Sequence, residues 1–258
     1  MPVAVDIDKV TRLMAEVADL AILPRFRALD SADIALKGPN DYVTAADLDA
    51  EARLTPALAG LLPGSVVVGE EAVAKDRAVL DRLGEPAPVW IIDPLDGTAN
   101  FAGSRTPFCS IVALAVGGEP VAGWIYEPLT RDMLVAERGG GARFNGQAVR
   151  LAPGADVAVY GKALRRKAEE SGHFGRFIDE RCAGAVYLDL ARGKLGAACF
   201  TRTLPWDHAA GALAVREAGG HSAFLDNGAP YDARRHVGPL LHSTSSEAWE
   251  RAAGALRS

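Results

Sequence analysis

The chain has 258 residues, with 28 Lys and Arg against 33 Asp and Glu and a formal net charge of -5. Hydrophobic residues make up 49% and charged residues 24%, an ordinary globular composition that can bury a large core and excludes disordered and collagen-like classes. The acidic balance speaks against nonspecific nucleic-acid binding, and no apolar stretch approaches the roughly 18 residues that would mark a membrane span. Cys109, Cys182 and Cys199 are too few and too scattered for a zinc site or a disulfide framework, and are expected as buried apolar thiols. The N-terminus has no basic segment followed by an apolar run, so no signal peptide is expected and the cytoplasm is the expected location.

Residues 8–29 carry Val10, Leu13, Met14, Val17 and Leu20 at helical spacing, which predicts an amphipathic helix. Pro24 is expected to kink or interrupt it. Residues 37–41 read as a turn cluster. A second helix is predicted over 45–62, opened by Thr44 and Asp47 as a capping box with Asp in place of Glu. Short β-branched runs at 65–68 and 89–92 predict strands that lead into Gly69-Glu70-Glu71 and Asp93-Pro94. Residues 109–116 and 119–126 read as a hairpin around Gly117-Gly118, and 133–137 and 142–144 as another around Gly139-Gly140-Gly141. Helical patterns return at 164–180, 187–194 and 207–218. Two helices, a run of strands, then mixed elements predict a layered α+β or α/β fold rather than a parallel alternation. A soft boundary near Ala152-Pro153-Gly154 divides one domain, 1–258, into halves of about 1–150 and 151–258.

The chemistry concentrates in three segments. Residues 90–101 deliver Asp93 and Asp96 from the end of an apolar strand across a proline-fixed turn, with Gly97 and Thr98 where a helix could begin. Neighbouring carboxylates repel unless a proton or cation intervenes, and hard oxygen ligands suit Mg²⁺. Amides at a helix start can hold a phosphate oxygen, so one segment could bind metal and anion together. Gly69-Glu70-Glu71 closes another strand, and Asp207 opens an Ala-rich helix after Pro205-Trp206. Taken singly, Asp93-Pro94 is a turn, Asp207 a first-turn acid and Gly69-Glu70-Glu71 a surface loop. Their joint occurrence in this order points to one site. No histidine has metal-ligand spacing, and His208 beside Asp207 is expected on the helix surface or in a supporting role. Arg138-Gly139-Gly140-Gly141 lacks the Lys of a phosphate-binding P-loop and reads as a hairpin turn, and no dinucleotide fingerprint occurs. The basic run 162–167 reads as a solvated helix face, or alternatively as a contact to a second phosphate or a nucleotide.

Together the segments Asp93-Pro94-Leu95-Asp96-Gly97-Thr98-x-Asn100-Phe101, Trp206-Asp207-x-Ala209-Ala210-Gly211 with Glu217-Ala218-Gly219-Gly220, and Gly69-Glu70-Glu71 resemble the inositol monophosphatase family. That family belongs to the Mg²⁺-dependent, lithium-sensitive phosphatases, and residues 41–47 also resemble its segment before the second helix. The resemblance implies an αβαβα sandwich of the inositol monophosphatase/fructose-1,6-bisphosphatase type. It implies hydrolysis of a small phosphorylated metabolite, two or three Mg²⁺ ions and, in many members, a homodimer. By the same resemblance Glu70, Asp93 and the Leu95 carbonyl would hold one ion; Asp93, Asp96 and Asp207 a second; a third would share Glu70. Gly97 and Thr98 would bind phosphate, with Asp96 and Asp207 beside the substrate. Thr98 and Asp47 would orient and deprotonate water, and Lys37 would lie on a loop near the site. Where inositol-specific members place a substrate-touching Glu, this chain has Phe200. The substrate therefore stays open among an inositol or sugar monophosphate, 3′-phosphoadenosine 5′-phosphate and histidinol phosphate. A degenerate, non-catalytic regulatory member is the rival class, as is a phosphatase that also binds RNA polymerase or ribosomal partners. The retention of Glu70, Asp93, Asp96, Thr98 and Asp207 weighs against loss of catalysis.

Overall fold

The structure, a computed structural model, describes residues 5–38 and 41–257. The first helix, α1 (Ile7–Val17), is capped by Asp6, whose carboxylate accepts from the Lys9 N–H at 3.0 Å. The chain continues through a π turn, Ala18–Ile22, and a 3₁₀ turn, Leu23–Arg25, that contains Pro24. The helix expected over 8–29 is thus interrupted at its proline, and regular α-helix ends earlier, at Val17. Strands β1 (Ile34–Gly38) and β2 (Asp41–Thr44) form an antiparallel pair with Leu36 opposite Tyr42. The expected turn cluster is therefore partly strand, because cross-strand pairing takes up its ends; Pro39 and Asn40 lie outside the described residues. Helix α2 (Ala45–Leu61) opens with the expected capping box: the Thr44 N–H donates to Asp47 Oδ2 at 2.8 Å, and the Ala46 N–H to Thr44 Oγ1 at 3.2 Å.

Next come β3 (Val66–Gly69), α3 (Glu70–Lys75), β4 (Val89–Asp96) and the short α4 (Thr98–Ala102). Strands β5 (Cys109–Val116), β6 (Glu119–Glu127), β7 (Asp132–Glu137), β8 (Gly141–Phe144) and β9 (Gln147–Ala148) follow as hairpins. These seven strands form one sheet in the order β3-β4-β5-β6-β7-β8-β9, with only β3 and β4 parallel.

The second half contributes β10 (Val157–Val159), α5 (Lys162–Ser171), α6 (Ala183–Ala191), β11 (Ala197–Phe200) and α7 (Pro205–Glu217). It ends with β12 (His221–Phe224), β13 (Leu240–Ser243) and α8 (Ser246–Arg257). The four strands order as β10-β11-β13-β12. The helix expected over 164–180 stops at Ser171, whose hydroxyl bonds back to the Ala168 carbonyl at 2.7 Å; Phe177 instead bridges the edge strand at Val157. The helix expected over 187–194 starts earlier, at Ala183.

Period-two alternation sorts the large sheet's side chains between two cores. Trp90, Ile92, Val112, Leu114 and Trp124 pack with α1 and α2. Ile91, Ile111, Ala113 and Ile125 pack with α6 and α7, which also receive Ala158, Ala198, Phe224 and Leu240 from the second sheet. The second sheet's other face, with Val157, Cys199 and Leu241, packs with α5 and α8 around Trp249. The result is five layers, αβαβα, and the middle core draws on both halves of the chain.

Helix α7 lies unusually close to the large sheet. A Cβ on Gly123 of β6 would sit 2.7 Å from the Ala210 Cα of α7, backbone against side chain with nothing flexible to yield. Gly123→Ala is expected to destabilise the protein by about 1–3 kcal/mol through overpacking. A denaturant titration would register this as a lower midpoint at unchanged slope.

Candidate functional site

Strand β4 is buried along its whole length and ends in Asp93-Pro94-Leu95-Asp96. Its pairing with β5 slips between Asp93 and Asp96, so the ladder breaks where the two carboxylates emerge. The Leu95 N–H donates to Asp93 Oδ1 at 3.1 Å, closing a local turn. Gly97 then takes φ +84°, a left-handed backbone that starts α4 and that a side chain would strain. Asp207 arrives from elsewhere, in the first turn of α7 after Pro205. The three aspartates bring carboxylate oxygens within 4.8 Å of one another.

The remaining residues expected at the site lie around this group. Glu70, Asp93, Asp96, Gly97, Thr98 and Asp207 line one cavity of about 360 Å³. Thr98 Oγ1 lies 3.1 Å from Asp47 Oδ1 and 2.9 Å from the Leu95 carbonyl oxygen. The Lys37 ammonium donates to Glu70 at 2.6 Å and to Glu71 at 2.9 Å. All the sequence-predicted residues are therefore brought together, from β1, α2, α3, β4, α4 and α7.

Electrostatics makes the site a poor place for free carboxylates. Burial drives the Asp93 carboxyl well above its ordinary range, and the charges of Glu70, Asp96 and Asp207 push the same way. Burial likewise raises Asp207, with Asp96 and Glu70 adding and Arg202 opposing. Burial also raises Asp96, against the hydrogen bonds it accepts. Asp47 is pushed up to about 7 by burial, opposed by its two bonds from Thr44 and reinforced by Glu71 and Glu70. Burial alone would lower Lys37, but the Glu70 and Glu71 charges outweigh it and hold the ammonium protonated. An all-oxygen, mutually repelling, buried donor set fits a hard divalent cation, which would replace the protons these groups otherwise retain.

Several supporting residues escape sequence reasoning. Glu51 of α2 accepts from the Glu71 N–H at 2.9 Å and the Ala72 N–H at 2.8 Å, capping α3 from another helix. Asn100 Nδ2 donates to the Pro107 and Glu180 carbonyls at 2.9 Å each, which pins residue 180 onto the aspartate segment. Cys182 is buried as expected but not in an apolar role. Its thiol donates to Asp96 Oδ2 at 3.0 Å, beside the Gly184 N–H at 2.6 Å. His208 is fully buried rather than on a helix surface. Its Nε2–H donates to the Arg202 carbonyl at 2.8 Å, so Nδ1 accepts from the Tyr187 hydroxyl at 2.9 Å. Tyr187 in turn accepts from His242 Nε2–H at 2.9 Å. Burial pushes His208 down to about 4, against the Arg202 carbonyl bond, so its ring is neutral at pH 7. The signal for these residues lies in tertiary contact; only the Trp206-Asp207-His208 adjacency hinted at one of them. The basic run at α5 is a solvated face: Arg165 pairs with Glu169 at 2.7 Å and Arg166 with Glu170 at 3.8 Å.

Fold and site together define a layered αβαβα protein with a buried acidic pocket at the end of β4. A model described as the inositol monophosphatase family matches residues 6–253. The inositol-1-monophosphatase of Mesorhizobium japonicum is 35% identical over 220 residues, 79% of each chain. The Nus factor SuhB of Vibrio cholerae is 33% identical over 200 residues, 71% of this chain and 72% of that one. The crystal structure of the extragenic suppressor protein suhB of Bartonella henselae superposes with a TM-score of 0.82 at 25% identity, covering 96% of this chain and 98% of that one. The chain belongs to the inositol monophosphatase family. Among the described residues, no helix is long and apolar enough to cross a membrane.

Raised carboxyl values mean that the folded site binds protons the unfolded chain has already released. For Asp47 this holds from about 3.8 to about 7, so its contribution to stability falls as pH rises through that window. With divalent cations chelated, thermal unfolding should fall to lower temperature between pH 5 and pH 7.5. Added Mg²⁺ should raise the melting temperature more at pH 7.5 than at pH 5, because protons and metal compete for the same oxygens.

Proposed function

We propose that the protein is a Mg²⁺-dependent phosphatase that hydrolyses a small phosphomonoester, of inositol or sugar type, by attack of water. The observation that carries this reading is the group of buried Asp93 and Asp96 with half-buried Asp207, and the Thr98–Asp47 pair bonded beside it. The name of the Mesorhizobium relative, inositol-1-monophosphatase, agrees with it. Phe200, which lines the cavity, leaves 3′-phosphoadenosine 5′-phosphate and histidinol phosphate as alternative substrates.

Glu70, Asp93 and the Leu95 carbonyl would hold one Mg²⁺; Asp93, Asp96 and Asp207 a second; Glu70 would be shared with a third. Bound there, the ions supply positive charge to the phosphoryl oxygens and lower the pKa of water. The chain's own residues orient the reactants. Thr98 Oγ1, set between the Leu95 carbonyl and Asp47, holds the attacking water and passes its proton to Asp47. A carboxyl near 7 is suited to accept that proton at neutral pH. The Gly97 and Thr98 amides hold a phosphate oxygen where α4 begins. His208 is not needed as a base: both its nitrogens are engaged and its ring is neutral. Lys37 balances Glu70 and Glu71 at the edge of the site.

The reading includes one phosphatase domain over 1–258, a homodimer and a cytoplasmic setting. A regulatory role through a protein partner is the second reading, favoured by the relative named Nus factor SuhB. The complete carboxylate set favours catalysis over it.

Asp93→Asn removes a charge assigned to two ions. It should leave the fold intact by circular dichroism and lower phosphate release by more than the roughly 10- to 100-fold that loss of an outer-shell partner costs. Near-normal turnover in that variant would refute the two-ion assignment. Lithium at millimolar concentration should inhibit by taking one cation position; activity indifferent to both lithium and Mg²⁺ removal would defeat the reading.

A further inference from the structure

Three polar rings lie buried between the two sheets: Tyr187 on α6, His208 on α7 and His242 on β13. The Arg202 carbonyl can only accept, so its bond to His208 fixes the direction of the whole chain. His242 Nε2–H donates to Tyr187 Oη at 2.9 Å, the Tyr187 hydroxyl donates to His208 Nδ1 at 2.9 Å, and His208 Nε2–H donates to Arg202 at 2.8 Å. The far end is unpaired: His242 Nδ1 is buried with no hydrogen-bond partner among the described residues. Burying polar groups costs desolvation, and apolar side chains of similar shape would avoid the orphan. What a polar chain supplies instead is one defined geometry.

That geometry reaches the acidic pocket. The start of α6 holds Asp96 directly, because Asp96 Oδ2 accepts from the Cys182 thiol at 3.0 Å and from the Gly184 N–H at 2.6 Å. One turn further along the same helix, Tyr187 bonds to His208, the residue after Asp207. The Tyr187 ring also lies against α7: a Cβ on Gly211 would come within 2.3 Å of three of its ring atoms. Phe200, which lines the cavity, packs on the chain with its ring centroid 4.6 Å from His208 and 5.8 Å from Tyr187. Among the described residues the Asp207 carboxylate takes no bond from a backbone N–H or a thiol, so the first turn of α7 aims it.

Resting on the Mg²⁺ phosphatase reading, we infer that Tyr187 is a positioning residue for the cation site: through His208, its hydroxyl sets Asp207 against Asp96, which the same helix holds. Asp96 and Asp207 are assigned to the second ion. The first is assigned Glu70, Asp93 and the Leu95 carbonyl, none of which takes a hydrogen bond from α6 among the described residues. Loss of the Tyr187 hydroxyl therefore falls on the second ion and spares the first.

The test titrates Mg²⁺ alone into the full chain by calorimetry. Tyr187→Phe should weaken one ion by roughly 10- to 100-fold, the range for loss of an outer-shell partner, and leave the other within about threefold. The Mg²⁺ concentration that half-saturates phosphate release should rise by a like factor. Tyr187→Phe also strands His208 Nδ1 and His242 Nε2–H, so it lowers stability as well. Leu256→Ala, in the outer core around Trp249, controls for that: it should lower the melting temperature and leave both ions unchanged. His208→Leu removes the other end of the same bond. Its effect on Mg²⁺ should match that of Tyr187→Phe, and the two should not add in the double variant. Should Tyr187→Phe not fold, His208→Leu carries the same expectation alone. Unchanged Mg²⁺ binding, equal weakening of both ions, a like loss in Leu256→Ala or additive losses in the double variant would each overturn the proposal. Tyr187-dependent Mg²⁺ binding without hydrolysis of any phosphomonoester would sink the phosphatase reading and keep the positioning role. Mg²⁺-dependent hydrolysis indifferent to both variants would do the reverse, and a wild-type chain that binds no Mg²⁺ would sink both.

Discussion

Carboxylates that meet in a buried site cannot all ionise without a cation, and the architecture around them exists under that constraint. Asp93, Asp96 and Asp207 lie within 4.8 Å of one another, and Glu70 adds its charge to the same field. A chain free to relax would turn these side chains toward water. Here the backbone forbids it: two aspartates leave the end of a fully buried strand, and the third is locked into the first turn of a helix packed in the middle core. Repulsion is thus stored where a hard cation can relieve it.

The five layers make that arrangement possible. Strand β4 is central enough to be buried on both faces, and its pairing with β5 breaks only at the aspartates. Helix α7 can bring Asp207 to the same point because Gly123 lets it approach the large sheet closely. Beyond α6, Arg192 bridges Glu127 and Asp189 at 2.8 and 2.9 Å and also meets Asp132, tying the helix that supports Asp96 to the hairpin strands. The energetic support of the site is therefore spread over both halves of the chain.

A ring of polar contacts then converts position into orientation. Glu51 caps the helix that carries Glu70, Cys182 and Gly184 hold Asp96, and Thr44 holds Asp47. Lys37 pairs with Glu70 and Glu71 and offsets their charge. The neutral His208–Tyr187–His242 chain fixes the Arg202 backbone from within the core. These contacts fall within hydrogen-bond range, where an error of one ångström would cost the bond.

What could be read directly from the residues was local. Alternating and helical periodicity located both hairpins and the helices at 45–62 and 207–218, because side-chain direction repeats with the backbone. The capping box at Thr44 and the aspartate segment after 92 were legible for the same reason: the atoms concerned lie within a few bonds of one another. The strands β10–β13 and helix α8 were not singled out, since runs of four residues such as Ala197–Phe200 carry too little periodicity to register. Cys182 and Glu51 stayed hidden because their partners are distant in sequence; the Cys182–Asp96 contact spans 86 positions. By itself the sequence determined which residue types could bind a cation and the order in which they come. Only the tertiary structure decided that they converge, and that a thiol and a histidine expected to be passive hold polar contacts. The physical reason is that propensity acts over neighbouring bonds, whereas charge, burial and hydrogen bonding act through space.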